Sequence, residues 1–362
     1  MNAPAERVRA QIVSILTAWG MDPQQVQTSA TVMIETDLSG VDSHGVSMLM
    51  DYEASRNTGK LNVKAKPRVV RENAVTGLVD ADAGLGHPGA VMGMELAIAK
   101  AKALGVGVVT VRNSHHFGAA GYYAALASKQ GLVGMVTSAT RSINTVPTRG
   151  TIPVLGTNPI AFSAPAKRNR PFLLDMATAS VAANKVRVYE LKGKPLPAGW
   201  VLDEHGVPVT DAALATDYLF KRDVGGLTPL GGTAEMSSYK GYGLGMMAHI
   251  LGGALSGSSF SPIRVKTQRP EDPDNLGHFF MAIDPAVFRD AGDFEDDVDA
   301  AIDLLHAVPP VDPALPVLVA GDPEAMERER RLRDGIPVPA SLAEKIREVC
   351  ARCGVPYLFE TA

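Results

Sequence analysis

The 362-residue sequence predicts an α/β fold, on three observations. A β-branched apolar run, 105-GVGVVTVRN-113, follows a small-residue helical stretch, as a buried strand after a helix does. A second apolar run, 132-LVGMVTSA-139, follows another small-residue stretch and gives a second strand–helix–strand step. Helical periodicity fills the first fifty residues.

In chain order, Val8, Ile12, Ile15 and Leu16 repeat at helical spacing and Gly20 stops the run. A second helix is expected from about Gln27 to Leu38, with Thr28 as its cap. Gly40 and 42-DSHG-45 then break the pattern before a third helix. Residues 67–82 read as extended, 84-GLGHPGA-90 as a glycine turn, and Ala90 to Leu104 as a helix. The loop 113-NSHHFGAAG-121 leads from the first buried strand into a helix ending at Gly131.

Beyond residue 140 the signals weaken. The stretch 147–165 is a run of turns between short strands, and 171-PFLLDMATASVA-182 begins as a strand and turns helical. Residues 193–211 read as an exposed excursion. The nearly uncharged stretch 225–257 reads as a glycine loop and a long helix, buried in the protein or at a subunit contact. A strand over 277–285, acidic helical residues, then a strand and a mixed-charge helix over 317–339 complete the chain.

A net charge of −4 without a Lys/Arg cluster gives no reason to expect nucleic acid. No eighteen-residue apolar run predicts a membrane span, and the N-terminus lacks a signal-peptide core, so a cytoplasmic protein is expected. The two cysteines, in 350-CARC-353, are half of a zinc or redox spacing without a second half; they are expected as reduced thiols on an exposed terminal helix.

Two places invite chemistry. His44 follows a helix break, and an imidazole with an ordinary pKa near 6.5 can exchange protons at neutral pH; Ser43 could orient it, although Asp42 or Ser43 could equally be helix caps. His115 and His116 lie at a strand's C-terminal end, where α/β proteins bind ligands. Adjacent extended residues point oppositely, so one is expected to face a site and the other to pack. Metal binding is not expected there, because no HxH or HxxxH spacing occurs. Asp175 could cap the following helix or hold a histidine tautomer, and Arg141, Arg149 and Arg187 are candidate carboxylate grips. Neither 105-GVGVVT-110 nor 241-GYGLGM-246 fits GxGxxG, and no P-loop occurs. Around Lys240, a phosphate loop and plain helix packing remain equal alternatives.

Together, 37-DLSGVDSHGVSML-49, 113-NSHHFGAAGYYAALA-127, 155-LGTNPIAFSAP-165, 174-LDMATASVA-182, 239-YKGYGL-244 and 321-GDPE-324 resemble the malate/L-lactate dehydrogenase-like oxidoreductases. The resemblance spans about residues 5–355 in family order. It implies a non-Rossmann nicotinamide-binding domain on a large mixed sheet, over about 67–300 with an inserted segment around 118–220. A helical part would be built from 1–66 and completed by about 300–362, in a homodimer. The chemistry implied is metal-free hydride transfer between NAD or NADP and C2 of a 2-oxo or 2-hydroxy acid. Cyclic-imine reduction on the same scaffold, or a silent binding relative, is the alternative.

Residue by residue, the resemblance implies His44 as proton donor, aided by Ser43 and Asp175, with His116 as substrate binder or alternative base. It implies cofactor contacts at Asn158, at Asp175, Met176 and Ala177, at Lys240 and Gly241, and at Gly321, Asp322, Pro323 and Glu324. Many relatives carry an arginine four residues after the histidine, where this chain has Met48, and a glutamine where it has His87. Arg141 is therefore first in line for the substrate carboxylate, and a bulkier or more apolar 2-oxo acid is favoured over malate.

Overall fold

The computed structural model describes residues 1–259, 264, 267–269 and 271–360, so residues 361–362 of the expected C-terminal part lie outside it. A seven-stranded mixed sheet carries the α/β core, in the order β2-β3-β4-β10-β5-β6-β7. Its strands are β2 (Arg68–Glu72), β3 (Thr76–Asp80), β4 (Val106–Ser114), β5 (Val133–Ser138), β6 (Ile160–Ala164), β7 (Phe172–Met176) and β10 (Leu276–Ile283). Only β3 and β4 pair in parallel, across the helix α4 (Gly86–Leu104). β10 inserts antiparallel between β4 and β5, pairing Phe280 with Val109 on one side and Val136 on the other. Val109, Val111, Val136 and Phe280 are buried, which is why those runs lack the alternation of a half-exposed strand.

The two expected strand–helix–strand steps are present: α4 bridges β3 and β4, and α5 (Ala120–Ser128) bridges β4 and β5. The expected turn at 84–90 is instead the first turn of α4, which starts at Gly86. A Cβ at Gly86 would lie 2.4 Å from the His115 carbonyl oxygen, so the histidine loop fixes where this helix begins.

A second core gathers α1 (Ala5–Ala18), α2 (Pro23–Leu38) and α3 (Leu49–Asn57) with the C-terminal helix Ala340–Cys353. Ile12, Leu16, Met33, Leu49 and Ile346 are fully buried in it. A two-strand ribbon, β1 (Asn2–Ala3) with β11 (Ile336–Pro337), ties the two ends of the chain together. α2 starts earlier than expected: Asp22 caps it by accepting from Gln24 N–H at 2.9 Å, and Thr28 bonds back to the Gln24 carbonyl instead. The cysteines are free, and their helix is exposed on one face, but the cysteines lie on the other: Cys350 is buried and Cys353 Sγ lies 3.1 Å from the Trp19 indole nitrogen.

A third cluster packs Val186, Leu196, Val201, Tyr218 and Leu227. It holds α6 (Ala183–Leu191), α7 (Ala212–Lys221) and the ribbon of β8 (Val201–Leu202) with β9 (Gly226–Leu227). The excursion at 193–211 is thus anchored by buried Leu196 and Val201, and α7 was not expected at all. The segment before Ala179 supplies α5 and β5–β7 to the main sheet, so this cluster is shorter than the insertion expected around 118–220. α8 (Tyr239–His249) is not buried on all faces: Tyr239 and Leu244, with Ile250 and Leu255 beyond its end, are exposed. The strand expected near 317 is absent, although Leu173 N–H does reach the Ala320 carbonyl at 3.1 Å. Among the described residues, no helix is long and apolar enough to cross a membrane.

Candidate active site

The three cores meet around one cavity of about 920 Å³. Its wall includes Ser43, His44 and Met48 from the segment joining α2 to α3, His116 from the loop after β4, and Arg141 from the loop after β5. It also includes Asp175, Met176 and Ala177 at the end of β7, and Gly321 and Glu324 beside the arginine-rich helix Asp322–Asp334. The cavity follows the sheet: Ser138 and Ser163 both line it, and register places Ser163 opposite Gly134, four residues from Ser138. That is roughly 14 Å along the strand, at about 3.4 Å per residue.

His44 sits on a constrained turn. Asp37, buried at the end of α2, accepts from Val46 N–H at 2.8 Å, and Gly45 packs so tightly that a Cβ would come 1.8 Å from Asp37 Oδ1. Burial pushes the Asp37 carboxyl up to about 8. Arg331, reaching back from near the C-terminus, donates to the Asp37 carbonyl at 2.7 Å and pairs with Asp42. Asp42 and Ser43 therefore do not act as side-chain caps of α3: Asp42 holds an arginine, and Ser43 Oγ lies 2.7 Å from His44 Nδ1. That contact leaves His44 Nε2 for the cavity.

The adjacent histidines take different partners, although both line the cavity. His115 places Nε2 2.8 Å from the Lys60 carbonyl, with Asp274 at 3.4 Å from Nδ1. His116 turns to the cavity, its ring centroid 5.1 Å from that of His44, and its Nδ1 meets the Tyr52 hydroxyl at 2.8 Å. The same hydroxyl lies 3.5 Å from His87 Nε2. Burial raises the Tyr52 pKa, so its oxygen keeps its proton, and it can donate to His116 Nδ1 or accept from it according to the His116 tautomer. Tyr52 is the residue that sequence reasoning missed. Its signal was its place two helical turns after His44, which means little until the β4 loop is brought alongside.

Electrostatics separate the two imidazoles. Burial alone lowers His44, whereas His116 is lowered well below its ordinary value by burial and then by His44, His87, Arg141 and His278. Of the pair, His44 is the easier to protonate. His278, pushed down to about 3 by burial, is held between Ser138 Oγ at 2.8 Å and Ser114 Oγ at 3.0 Å and stacks on Phe117.

Asp175 holds no histidine and does not cap α6. β7 brings it to the N-terminus of α5, where it accepts from Gly121 N–H at 2.7 Å. The anion at that helix end is thus the protein's own carboxylate. It faces the open cavity yet is crowded by protein, and its pKa is pushed up to about 6 by burial. Arg141 is half-exposed in the cavity, 3.4 Å from Asp274, with its backbone carbonyl accepting from Arg264.

The remaining expected contacts separate. Asn158 is fully buried with φ +22° and bonds the Gly245 carbonyl and Thr140 N–H, both at 3.1 Å, while its neighbours Thr157 and Pro159 line the cavity. Lys240, Gly241, Asp322 and Pro323 do not line it. Gly241 packs on Leu230, and Asp322 pairs with His306 at 2.8 Å. Arg149 also stays outside the lining, whereas Arg187 joins it, its guanidinium 4.4 Å over the Phe220 ring. Among the described residues, no three His, Cys, Asp or Glu side chains are placed to hold a metal.

A profile of the malate/L-lactate dehydrogenase family matches residues 3–347. A malate dehydrogenase from Pyrococcus horikoshii is 37% identical over 359 residues, covering 99% of this chain and 97% of that protein. An L-sulfolactate dehydrogenase from Methanocaldococcus jannaschii is 33% identical over 97% of this chain and 96% of its own. The crystal structure of malate dehydrogenase from Entamoeba histolytica superposes with a TM-score of 0.92 at 31% identity, covering 98% of this chain and 99% of that one. With its full length matched in sequence and in fold, the chain belongs to the malate/L-lactate dehydrogenase family and is an oxidoreductase acting on CH–OH groups.

Proposed function

We propose that the cavity binds a nicotinamide dinucleotide along the sheet and a 2-oxo or 2-hydroxy acid between His44, His116 and Arg141. The observation that carries this reading is the facing histidine pair, 5.1 Å apart, with a cavity-facing guanidinium beside it. Such a pair serves one oxygen, and a guanidinium suits one carboxylate.

A dinucleotide fits the residues present. The length along β5 and β6 accommodates an extended ligand, and the turn at Met176–Ala177 with Gly321 brings backbone to the wall. At Gly321, with φ +101°, a Cβ would press to 3.1 Å from Leu173. A glycine-rich Rossmann loop is not needed for this arrangement. When bound, the nicotinamide supplies or accepts the hydride at the substrate's C2.

In oxidation, His44 Nε2 takes the hydroxyl proton as the C2 hydride leaves, and Nδ1 keeps its contact with Ser43. In reduction, the same nitrogen returns a proton to the forming alkoxide. His116, neutral and protonated on Nε2, donates a hydrogen bond to the substrate oxygen and fixes its position. Arg141 holds the carboxylate, with Asp274 limiting its swing. The exposed apolar residues Tyr239, Leu244, Ile250 and Leu255 fit a contact with a second copy of the chain, in a homodimer.

The test follows reduced-nicotinamide absorbance, with NADH and with NADPH, against a panel of 2-oxo acids and a cyclic imino acid. Oxidation of the cofactor by 2-oxo acids supports the reading. Reduction of the imine alone, or tight cofactor binding without any turnover, overturns it.

A further inference from the structure

The turn that carries His44 is fastened from outside by the arginine-rich helix Asp322–Asp334, three of whose residues reach the segment 35–42. Arg328 grips Glu35 through two bonds of 3.0 and 3.2 Å. Glu327 packs against Gly40, where φ is +83° and a Cβ would come 2.8 Å from Glu327 Cγ. Buried Arg331 reaches farthest. Its Nη1 donates to the Asp37 carbonyl at 2.7 Å, and Nη1 and Nη2 together fork onto the exposed Asp42 carboxylate. Its Nε donates to Glu327, so one planar group closes the contact between helix and turn.

The two anchored residues bracket the turn. Asp42 runs directly into Ser43 and His44, while the Asp37 carboxylate takes Val46 N–H on the far side of His44 at 2.8 Å. Between them, Gly40 N–H meets the same Asp37 carbonyl at 3.1 Å, and His44 N–H meets the Val41 carbonyl at 3.0 Å. The His44 ring therefore stands on backbone that Arg331 pins at two points. The same helix faces the cavity with Gly321, Glu324, Ala325 and Arg328, whereas Arg331 does not line it. Seven residues separate Glu324 from Arg331, roughly 10 Å along a helix axis. The wall proposed to seat the dinucleotide and the grip on the His44 turn thus belong to one rod.

We propose that Arg331 is a positioning residue for the reaction: it holds the Asp37–Asp42 segment so that His44 stands at a fixed place relative to the dinucleotide wall. It acts through His44 and not on the substrate. The proton-carrying role of His44 rests on the dehydrogenase reading; the grip on its turn does not.

The test uses Arg331→Ala and, as the variant that leaves the buried arginine in place, Asp42→Ala, which removes the exposed half of the fork. Each is made in the wild type and in a His44→Ala background. In the wild-type background kcat is expected to fall about 10–100-fold, as a misplaced acid or base does, while the dissociation constant of the reduced cofactor moves less than about twofold. In the His44→Ala background the further loss is expected to be under about twofold, because the group being positioned is gone. Nitrogen-15 side-chain resonances of His44 are expected to shift in both single variants. Cofactor affinity lost as steeply as turnover, losses that add in the double variants, or His44 resonances that neither variant moves would overturn the assignment. Should Arg331→Ala not fold, Asp42→Ala carries the same measurements. If the wild type turns over no 2-oxo acid, the dehydrogenase reading falls, and the His44 resonances still decide whether Arg331 holds the turn.

Discussion

The Tyr52 hydroxyl stands 2.8 Å from His116 Nδ1 and 3.5 Å from His87 Nε2, so one buried phenol serves two imidazoles from different elements. His87 is pushed down to about 3 by burial and is neutral at any working pH. We expect the phenol to donate to His116 Nδ1 and so to hold the His116 proton on Nε2. Tyr52→Phe is expected to lower kcat about tenfold with little change in cofactor affinity, and to shift the His116 tautomer populations in nitrogen-15 spectra. Leaving a buried nitrogen unpartnered also costs about 1–3 kcal/mol of stability, which denaturant unfolding would read. Unchanged tautomer populations in the folded variant would remove Tyr52 from this role.

His44→Ala removes the proposed proton carrier. Turnover is expected to fall by about 10²–10⁴-fold, the usual range for a positioned acid or base, while binding of the reduced cofactor, read by fluorescence titration, stays near wild type. If His116→Ala produced the larger loss and His44→Ala a minor one, the roles of the two imidazoles would be exchanged.

The role proposed for Arg141 is in binding rather than in chemistry. Arg141→Ala should raise KM for 2-oxo acids by about tenfold or more, and the increase should shrink for an analogue with an amide in place of the carboxylate. Equal effects on acid and amide would show that the guanidinium does not hold the carboxylate.

Asp37 gives a stability prediction with a defined sign. Its pKa is about 8 folded against an ordinary 3.8, so between those values the folded chain holds a proton that the unfolded chain has released. Its contribution is complete below about 3.8 and is lost as pH rises towards 8. The buried histidines His87 and His278, held low, act in the opposite direction below 6.5. From 6.5 to 8, thermal melting of the wild type is expected to drop more than that of Asp37→Asn, which keeps an oxygen for Val46 N–H. Parallel curves for the two proteins would place the proton elsewhere.

Local sequence carried the early part of the fold well, because α1 and α2 show helical apolar periodicity and β4 and β5 are continuous β-branched apolar runs. His115 and His116 were legible as a pair after β4, but both line the cavity and differ in their partners, which lie far off in sequence. The partners were another matter. Tyr52, Asp274 and Arg331 reach the site from separations of 64, 159 and 287 residues relative to His116, His115 and His44, distances over which spacing says nothing. Asp175 lines the cavity as expected, but its partner was not legible: its sequence neighbour is the approach to α6, whereas its carboxylate accepts from Gly121 N–H at the start of α5. Motif resemblance grouped Lys240 and Asp322 with the site, while in this chain neither lines the cavity and Asp322 pairs with His306.

The late strand β10 has a consequence for how the protein comes into being. Its residues, Leu276–Ile283, separate β4 from β5, which leave the ribosome some 140 residues earlier. Until β10 arrives, those two neighbours in sequence expose facing edges with no partner, and His278 is missing from between Ser114 and Ser138. Nascent chains halted before residue 276 should therefore be vulnerable to edge-to-edge association, and their pulse-labelled amides in β4 and β5 should exchange freely. Completion of the sheet is then a late step in synthesis, and the cavity closes later still, once Gly321 and Glu324 follow.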